Sequence, residues 1–225
     1  MSQAGAPAPV LTVDGPSGAG KGTVSARVAK RLGWHLLDSG VVYRALAVHA
    51  IEQQVAADDP QGLESLCQGM KLTFLPTADG VQVHMNGQRI DALLRSEDVS
   101  RMASKVASVP RVRAALLALQ RSFRRSPGLV ADGRDMGTVV FPDAATKVFL
   151  DASLEERARR RHKQLNERGE SVKFSRLFRD LAERDRRDRE RAISPMVPAT
   201  DAIVIDSTNL TINQVVERIL DLVAG

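Results

Sequence analysis

Residues 14–23 read DGPSGAGKGT, between an apolar run, VLTV at 10–13, and a helical stretch, GKGTVSARVAKRLG. Gly15, Gly20 and Lys21 satisfy the spacing G-x-x-x-x-G-K of a phosphate-binding loop. Strand, glycine loop and helix are the setting that such a loop needs. The glycines let backbone N–H groups turn inward around phosphate oxygens, at the positive end of a helix. Lys21 is expected to bind the β and γ phosphates. One detail departs from the usual pattern. The residue after Lys21 is Gly22, and the hydroxyl arrives one step late at Thr23.

The rest of the chain repeats the strand–helix theme. Five short runs rich in Val, Ile and Leu read as buried parallel strands: VLTV (10–13), WHLL (34–37), GLVA (128–131), KVFL (147–150) and AIVI (202–205). Helical patterns lie between them. Gly33 stops the first, and SGVVYRALAVHAIEQQ forms another. Residues 110–124 start on Pro110. Residues 153–168 start on Ser153, with Glu156 completing a capping box. Residues 175–192 and 211–223 follow. The expected fold is α/β, a five-stranded parallel sheet with helices on both faces. Asp14, Asp38, Asp132, Asp151 and Asp206 each follow a strand, where ligands of open parallel sheets gather. Asp151 and Asp206 are read as turn caps. Asp14, Asp38 and Asp132 have chemically suggestive neighbours. Residues 66–104 break the pattern. LTFLP, VQVHM and QRI are strand-like, and Asn86-Gly87 is a hairpin signal, so this stretch reads as a small antiparallel insert.

Composition narrows the class. The 225 residues are 43% hydrophobic and 26% charged, ordinary for one globular α/β domain. No apolar run reaches the ~20 residues of a membrane span, and the first nine residues read as a frayed tail without a leader, so a cytoplasmic protein is expected. Cys67 alone allows no internal disulfide and reads as a core residue. The net charge is +5, and all of that surplus lies in residues 155–191, with 14 Lys/Arg against 9 Asp/Glu. The signs are interleaved and aromatics are only 4%, unlike a nucleic-acid face. Its arginines suit phosphate oxygens, although a salt-bridged solvated helix face gives the same pattern.

Transfer of a phosphoryl group between two anions needs cations around both. LLDSGVVYR supplies Ser39 and Arg44, and ADGRDMG supplies Asp132, Arg134 and Asp135. ERDRRDRERA supplies Arg184, Asp188 and Arg191, which share one helical face. The form G-x-G-K-G-T is similar to the loop of nucleoside monophosphate kinases. With SxVASVPRVR, VADGRDMGTVVFPDA, FSRLFRDLAERDRRDRERA and DSTNLT, the chain from about residue 9 to its end resembles the bacterial cytidylate kinases.

That resemblance implies a P-loop kinase that moves the γ-phosphoryl group of ATP to CMP or dCMP. Gly15, Pro16, Ser17, Gly18, Ala19, Gly20, Lys21, Gly22 and Thr23 would hold the ATP phosphates. Mg²⁺ would be held largely by phosphate and water, with no dedicated protein ligands. Ser39, Arg44 and Arg134 would lie near the acceptor phosphate. Ser104, Arg113 and Asp135, with Arg191, would surround the cytosine. Arg184 and Asp188 would bind the sugar side, Asp188 accepting from the 2′-hydroxyl. Lys21, Arg134, Arg161 and Asp132 are the expected catalytic set, Asp132 orienting metal-bound water. A core of 9–65, 105–154 and 192–225 would carry a monophosphate-binding insert at about 66–104. A lid at about 155–175, with Arg157, Arg160, Arg161 and Arg168, would hinge at Gly169 and close over ATP. The partners would be small nucleotides alone, with no nucleic acid and no membrane, and the enzyme a monomer. The alternative is a P-loop kinase for another small acceptor. A GTPase would need Ser or Thr directly after Lys21 and an N-K-x-D motif, and neither is present.

Overall fold

The apolar runs fold as the strands of one sheet. The computed structural model describes residues 7–77, 80–167 and 169–224. In chain order the first elements are β1 (Val10–Asp14), α1 (Lys21–Leu32), β2 (His35–Asp38), α2 (Ser39–Glu52) and α3 (Pro60–Gln68). Then come β3 (Leu72–Thr77), β4 (Gly80–Met85), β5 (Gln88–Arg89), α4 (Glu97–Val106) and α5 (Pro110–Arg121). The last are β6 (Leu129–Asp132), β7 (Thr146–Asp151), α6 (Leu154–Asn166), α7 (Phe174–Glu190), β8 (Ile203–Asp206) and α8 (Ile212–Ala224). The five-stranded parallel sheet has the order β2-β6-β1-β7-β8. Registers such as Val13↔Asp132 and Asp14↔Phe149 bring the ends of β1, β6 and β7 level. This is what places the loop after β1 beside the residues that follow β6.

The chain divides into two compact units, Met1–Leu36 with Arg124–Gly225, and Leu37–Phe123. In the first, Leu11, Val13, Val130, Val148, Leu150 and Ile205 of the sheet pack with Val24 and Val28 of α1 and Val215, Val216 and Ile219 of α8. Each such buried side chain stabilises by about 1.5–3 kcal/mol before entropy. Gly33 ends α1 in the left-handed conformation, φ +66°, as its sequence position requires. Ala8 and Pro9, expected within a frayed tail, are held in place: the Ala8 carbonyl accepts from Arg124 at 2.7 Å and the Pro9 carbonyl accepts from Leu129 N–H at 3.0 Å. Residues 1–6 lie outside the described part. The capping box at Ser153 is half made. Its hydroxyl accepts from Glu156 N–H at 3.2 Å, but its own N–H donates to Thr208 Oγ1 and Glu156 turns to Arg160 instead.

In the second unit, α2 is buried along most of its length and packs against α4, while α3 packs against α5. β3, β4 and β5 form an antiparallel sheet with Asn86 and Gly87 at the turn. The earlier turn, at 77–80, falls partly outside the described residues. The strand-like insert therefore occupies only part of 66–104, and α4 takes its end. Ser96 caps α4 through Val99 N–H at 3.1 Å, and Val99, Ala103 and Val106 are its buried stripe. Cys67 is buried in α3, and burial pushes its thiol up to about 11. No helix among the described residues is long and apolar enough to cross a membrane.

Candidate active site

The loop after β1 depends on glycine for two separate reasons. Gly15, at φ +143°, carries no Cβ because one would run into the Leu150 carbonyl oxygen. Gly18, at φ +84°, and Gly20, at φ +95°, take left-handed turns that L side chains rarely adopt. Gly20 is the N-cap of α1 and offers no side-chain acceptor to the first-turn N–H groups, and that turn holds no acid. These donors are the kind that phosphate oxygens take up. Ala19 is buried, whereas Gly22 and Thr23 are exposed. Lys21 is only 7% exposed, and its ammonium donates to the Pro16 carbonyl at 2.9 Å.

Two strand-end acids sit beside this loop. Asp14 accepts from the N–H groups of Met136 and Gly137, each at 2.8 Å, and so caps a single π-helical turn, Met136–Val140. Burial pushes its carboxyl up to about 6, against the pull of those two hydrogen bonds and of Lys21, with the charge of Asp135 adding to the rise. Asp132 is 6% exposed, and its Oδ2 would lie 3.6 Å from a Cβ at Gly22, next to the first turn of α1. Asp135 is 3% exposed, and its carbonyl accepts from Val139 and Val140.

Arg134, from the same turn, pairs with Asp188 of α7 through its Nε. Burial opposes the charge on both, and the pairing outweighs it. Asp188 is held below the usual carboxylate range by Arg134, Arg184 and Arg191, and Arg134 is held above its ordinary value by Asp188. Asp188 thus lies in the field of three guanidinium groups. Leu177, Leu181, Asp185 and Asp188 form the buried face of α7. Its outer arginines pair along the helix, Arg186 with Glu190 and Arg187 with Glu183.

The arginines expected in a lid differ in kind. Arg157 is 3% exposed and lies beneath the loop: Nε donates to Ala152 O at 2.9 Å, Nη1 to Ser17 O at 3.0 Å and Nη2 to Asp185 Oδ2 at 2.6 Å. Arg160 ties Ala19 O, at 3.3 Å, to Ser207 O, at 2.6 Å, and Ser207 Oγ also donates to Ala19 O. Arg161 is half-buried and donates to Gln164 Oε1 at 2.6 Å. Gly169 is left-handed at φ +77°, and Arg168 lies outside the described residues. Asp151 and Asp206 cap turns as expected, through Ala152 N–H and through the N–H and hydroxyl of Thr208.

The second unit holds the other predicted residues. Asp38 caps α2 through Val41 N–H at 3.0 Å, and the adjacent Ser39 is 4% exposed. Arg44 donates to Leu94 O at 3.5 Å. Arg113 of α5 donates to Ala107 O at 3.1 Å and lies over the Tyr43 ring, 5.7 Å from its centroid, a cation–π placement. Ser104, on α4, has a buried hydroxyl with no hydrogen-bond partner among the described residues.

The predicted residues therefore fall into two groups. The loop, Asp132, Arg134, Asp135, Arg184, Asp188 and Arg191 belong to the first unit, and Ser39, Arg44, Ser104 and Arg113 to the second. The roles of Asp14, Tyr43, Asp185 and Ser207 were missed. Asp14 had a visible signal, its place between strand and loop. Asp185 shares its inward face with Leu181 and Asp188, a spacing that amphipathic counting would have found. Ser207 has no sequence signal of its own. Among the described residues no group of three or more His, Cys, Asp or Glu could hold a metal ion.

A family model described as cytidylate kinase matches residues 11–225. The cytidylate kinase of Enterobacter sp. (strain 638) is 54% identical over 215 residues, covering 96% of this chain and 95% of its own. That of Aeromonas salmonicida (strain A449) is 53% identical over 213 residues, covering 95% and 93%. Among solved structures, an uncharacterized protein from Eubacterium ventriosum superposes with a TM-score of 0.51 at 9% identity, covering 96% of this chain and 98% of that one, a likeness of fold alone.

Proposed function

The chain belongs to the cytidylate kinase family, and from that premise we propose how its residues divide the transfer of the γ-phosphoryl group of ATP to CMP or dCMP. The activity is that of a phosphotransferase acting on CMP. The observation that most supports the proposed roles is the Arg134–Asp188 pair with Arg184 and Arg191, in the same unit as the phosphate loop.

The loop from Gly15 to Thr23 takes the ATP phosphates on backbone N–H groups, and Lys21 exchanges the Pro16 carbonyl for the β and γ oxygens. An oxygen of the CMP phosphate attacks the γ-phosphorus while the bond to the β–γ bridging oxygen breaks, giving CDP and ADP. The attacking oxygen is already anionic, so no strong general base is required. Catalysis is then positioning and charge neutralisation, by Lys21 and Arg134, with Arg161 contributing from the lid. Mg²⁺, when bound, neutralises the β and γ oxygens. Asp132, whose Oδ2 would lie 3.6 Å from a Cβ at Gly22 in the first turn of α1, is the carboxylate placed to face a cation held by phosphate and water. Asp132 is assigned to orienting metal-bound water.

On the acceptor side, Asp188 stays ionised at neutral pH because its arginines hold its carboxyl down. It is thereby suited to accept from the 2′-hydroxyl of the sugar, with Arg184 beside it. Asp135, Arg191, Ser104 and Arg113 are assigned to the base. Ser39 and Arg44 are assigned to the acceptor phosphate. A monomeric cytoplasmic enzyme without nucleic-acid partners is the companion proposal; the i,i+4 pairing of Arg186 with Glu190 and Arg187 with Glu183 on α7 supports only its last part, since these arginines are not free for a polyanion.

The test is ADP release from Mg-ATP with CMP, dCMP, UMP, AMP, GMP and shikimate. Turnover with CMP and dCMP well above the others is expected. Preference for another acceptor would discard the base-pocket assignments. Lys21→Ala should lower turnover by on the order of 10²–10³-fold with the fold intact, and near-normal turnover would remove Lys21 from the chemistry.

A further inference from the structure

The ion pair of Arg157 and Asp185 is buried far more deeply than a contact between two helices needs. Their side chains are 3% and 6% exposed. A hydrophobic pair of similar volume would join α6 to α7 at least as well, because desolvation of two charges consumes most of their attraction. Asp185 Oδ1 has no hydrogen-bond partner among the described residues, so the pair is not built for stability alone. What the charges add is direction. The Arg157 fork reaches three acceptors on three pieces of chain: Ala152 O after β7, Ser17 O in the phosphate loop and Asp185 on α7. The loop also rests on the stem of this side chain, since a Cβ at Gly18 would lie 3.1 Å from Arg157 Cβ. Asp185 in turn lies in the field of Arg134, the cation paired with Asp188 one turn further along α7.

We infer that Arg157 and Asp185 are a positioning pair for the phosphate loop. Arg157 fixes the Ser17 carbonyl and with it the curvature that turns the loop N–H groups towards the phosphates. Asp185 orients the guanidinium and registers the loop against the face of α7 that carries Asp188. This deepens the kinase reading and rests on the loop being the ATP site. Neither residue touches the reacting atoms.

Two variants test it: Arg157→Lys, and the double variant Arg157→Met with Asp185→Leu. The readouts are the thermal midpoint, equilibrium binding of a fluorescent N-methylanthraniloyl ATP, and kcat and KM for ATP and for CMP. Lysine keeps the charge but cannot reproduce the fork, so Arg157→Lys should bind the ATP analogue roughly tenfold more weakly. Its KM for CMP should change by less than about twofold, since Asp188 and its arginines are untouched. The double variant should keep a thermal midpoint near that of the parent and still lose ATP affinity. Parental ATP affinity in Arg157→Lys would overturn the proposal, as would parental affinity and kcat in a stable double variant. If the double variant does not fold, Arg157→Lys decides alone. If the parent binds the ATP analogue but does not phosphorylate CMP, the acceptor assignment fails while the positioning pair is still tested through ATP binding.

Discussion

On α7 the same residue types face two different surroundings. Asp185 and Asp188 turn inward with Leu177 and Leu181, paired to Arg157 and Arg134 and largely out of water. Arg176, Arg186 and Arg187 turn outward to Asp180, Glu190 and Glu183, with side chains 49–64% exposed across these pairs. The outer pairs gain little, because water and salt screen them. The inner pairs hold charges at fixed positions largely out of water, and Arg157 donates to Ser17 O of the loop as well. The charges of this segment are thus two populations, a solvated face and a buried, paired one, and burial separates them where composition does not.

The largest break of this comparison is Asp188→Ala. It leaves Arg134, Arg184 and Arg191 without the carboxylate they share. The expected loss in kcat/KM for CMP is about 100-fold or more, with destabilisation on the order of 3 kcal/mol from the exposed imbalance. Steady-state kinetics and chemical denaturation check both. Unchanged kinetics with CMP and dCMP would remove Asp188 from the sugar pocket.

A pH series sharpens it. The folded-state carboxyl of Asp188 is depressed below its ordinary 3.8. Its stabilisation is present above that value and is lost as pH falls through the lower folded value. The gap in thermal midpoint between the parent and Asp188→Asn should be steady from about pH 7 to 5 and narrow below about 4. Asp14 has the opposite sign. Burial raises it to about 6, so its charge opposes folding at neutral pH, and the parent should gain stability relative to Asp14→Asn as pH falls from about 7 to 5. A gap that widens in acid for Asp188 would contradict the inward pairing.

The smallest effect belongs to the outer face. Arg187→Ala should change stability by no more than about 0.5 kcal/mol. A larger loss, read by denaturation at two salt concentrations, would show that the outer pairs are a network rather than solvated neighbours.

The same contrast explains what the sequence made legible. The five strands were readable because a parallel sheet buried on both faces needs unbroken apolar runs. The loop was readable because Gly15, Gly18 and Gly20 meet backbone demands that only glycine satisfies. α4 was missed although Ser96, Val99, Ala103 and Val106 spell a cap and a stripe, since neighbouring strand signals pulled the whole of 66–104 into one pattern. The fork of Arg157 was not legible. Two of its three partners lie 28 and 140 residues away in sequence, and residue type does not distinguish it from Arg159, which is exposed and paired with Glu155. Ser153 teaches a similar lesson: a local capping box gave way to Thr208, 55 residues on.

The most direct measurement is kcat/KM for CMP in Arg184→Ala beside Arg187→Ala, three residues apart on one helix. The account predicts a loss of roughly tenfold or more for Arg184→Ala and parental kinetics for Arg187→Ala. Equal losses, or a loss confined to Arg187→Ala, would contradict the division of α7 into an acceptor face and a solvated one.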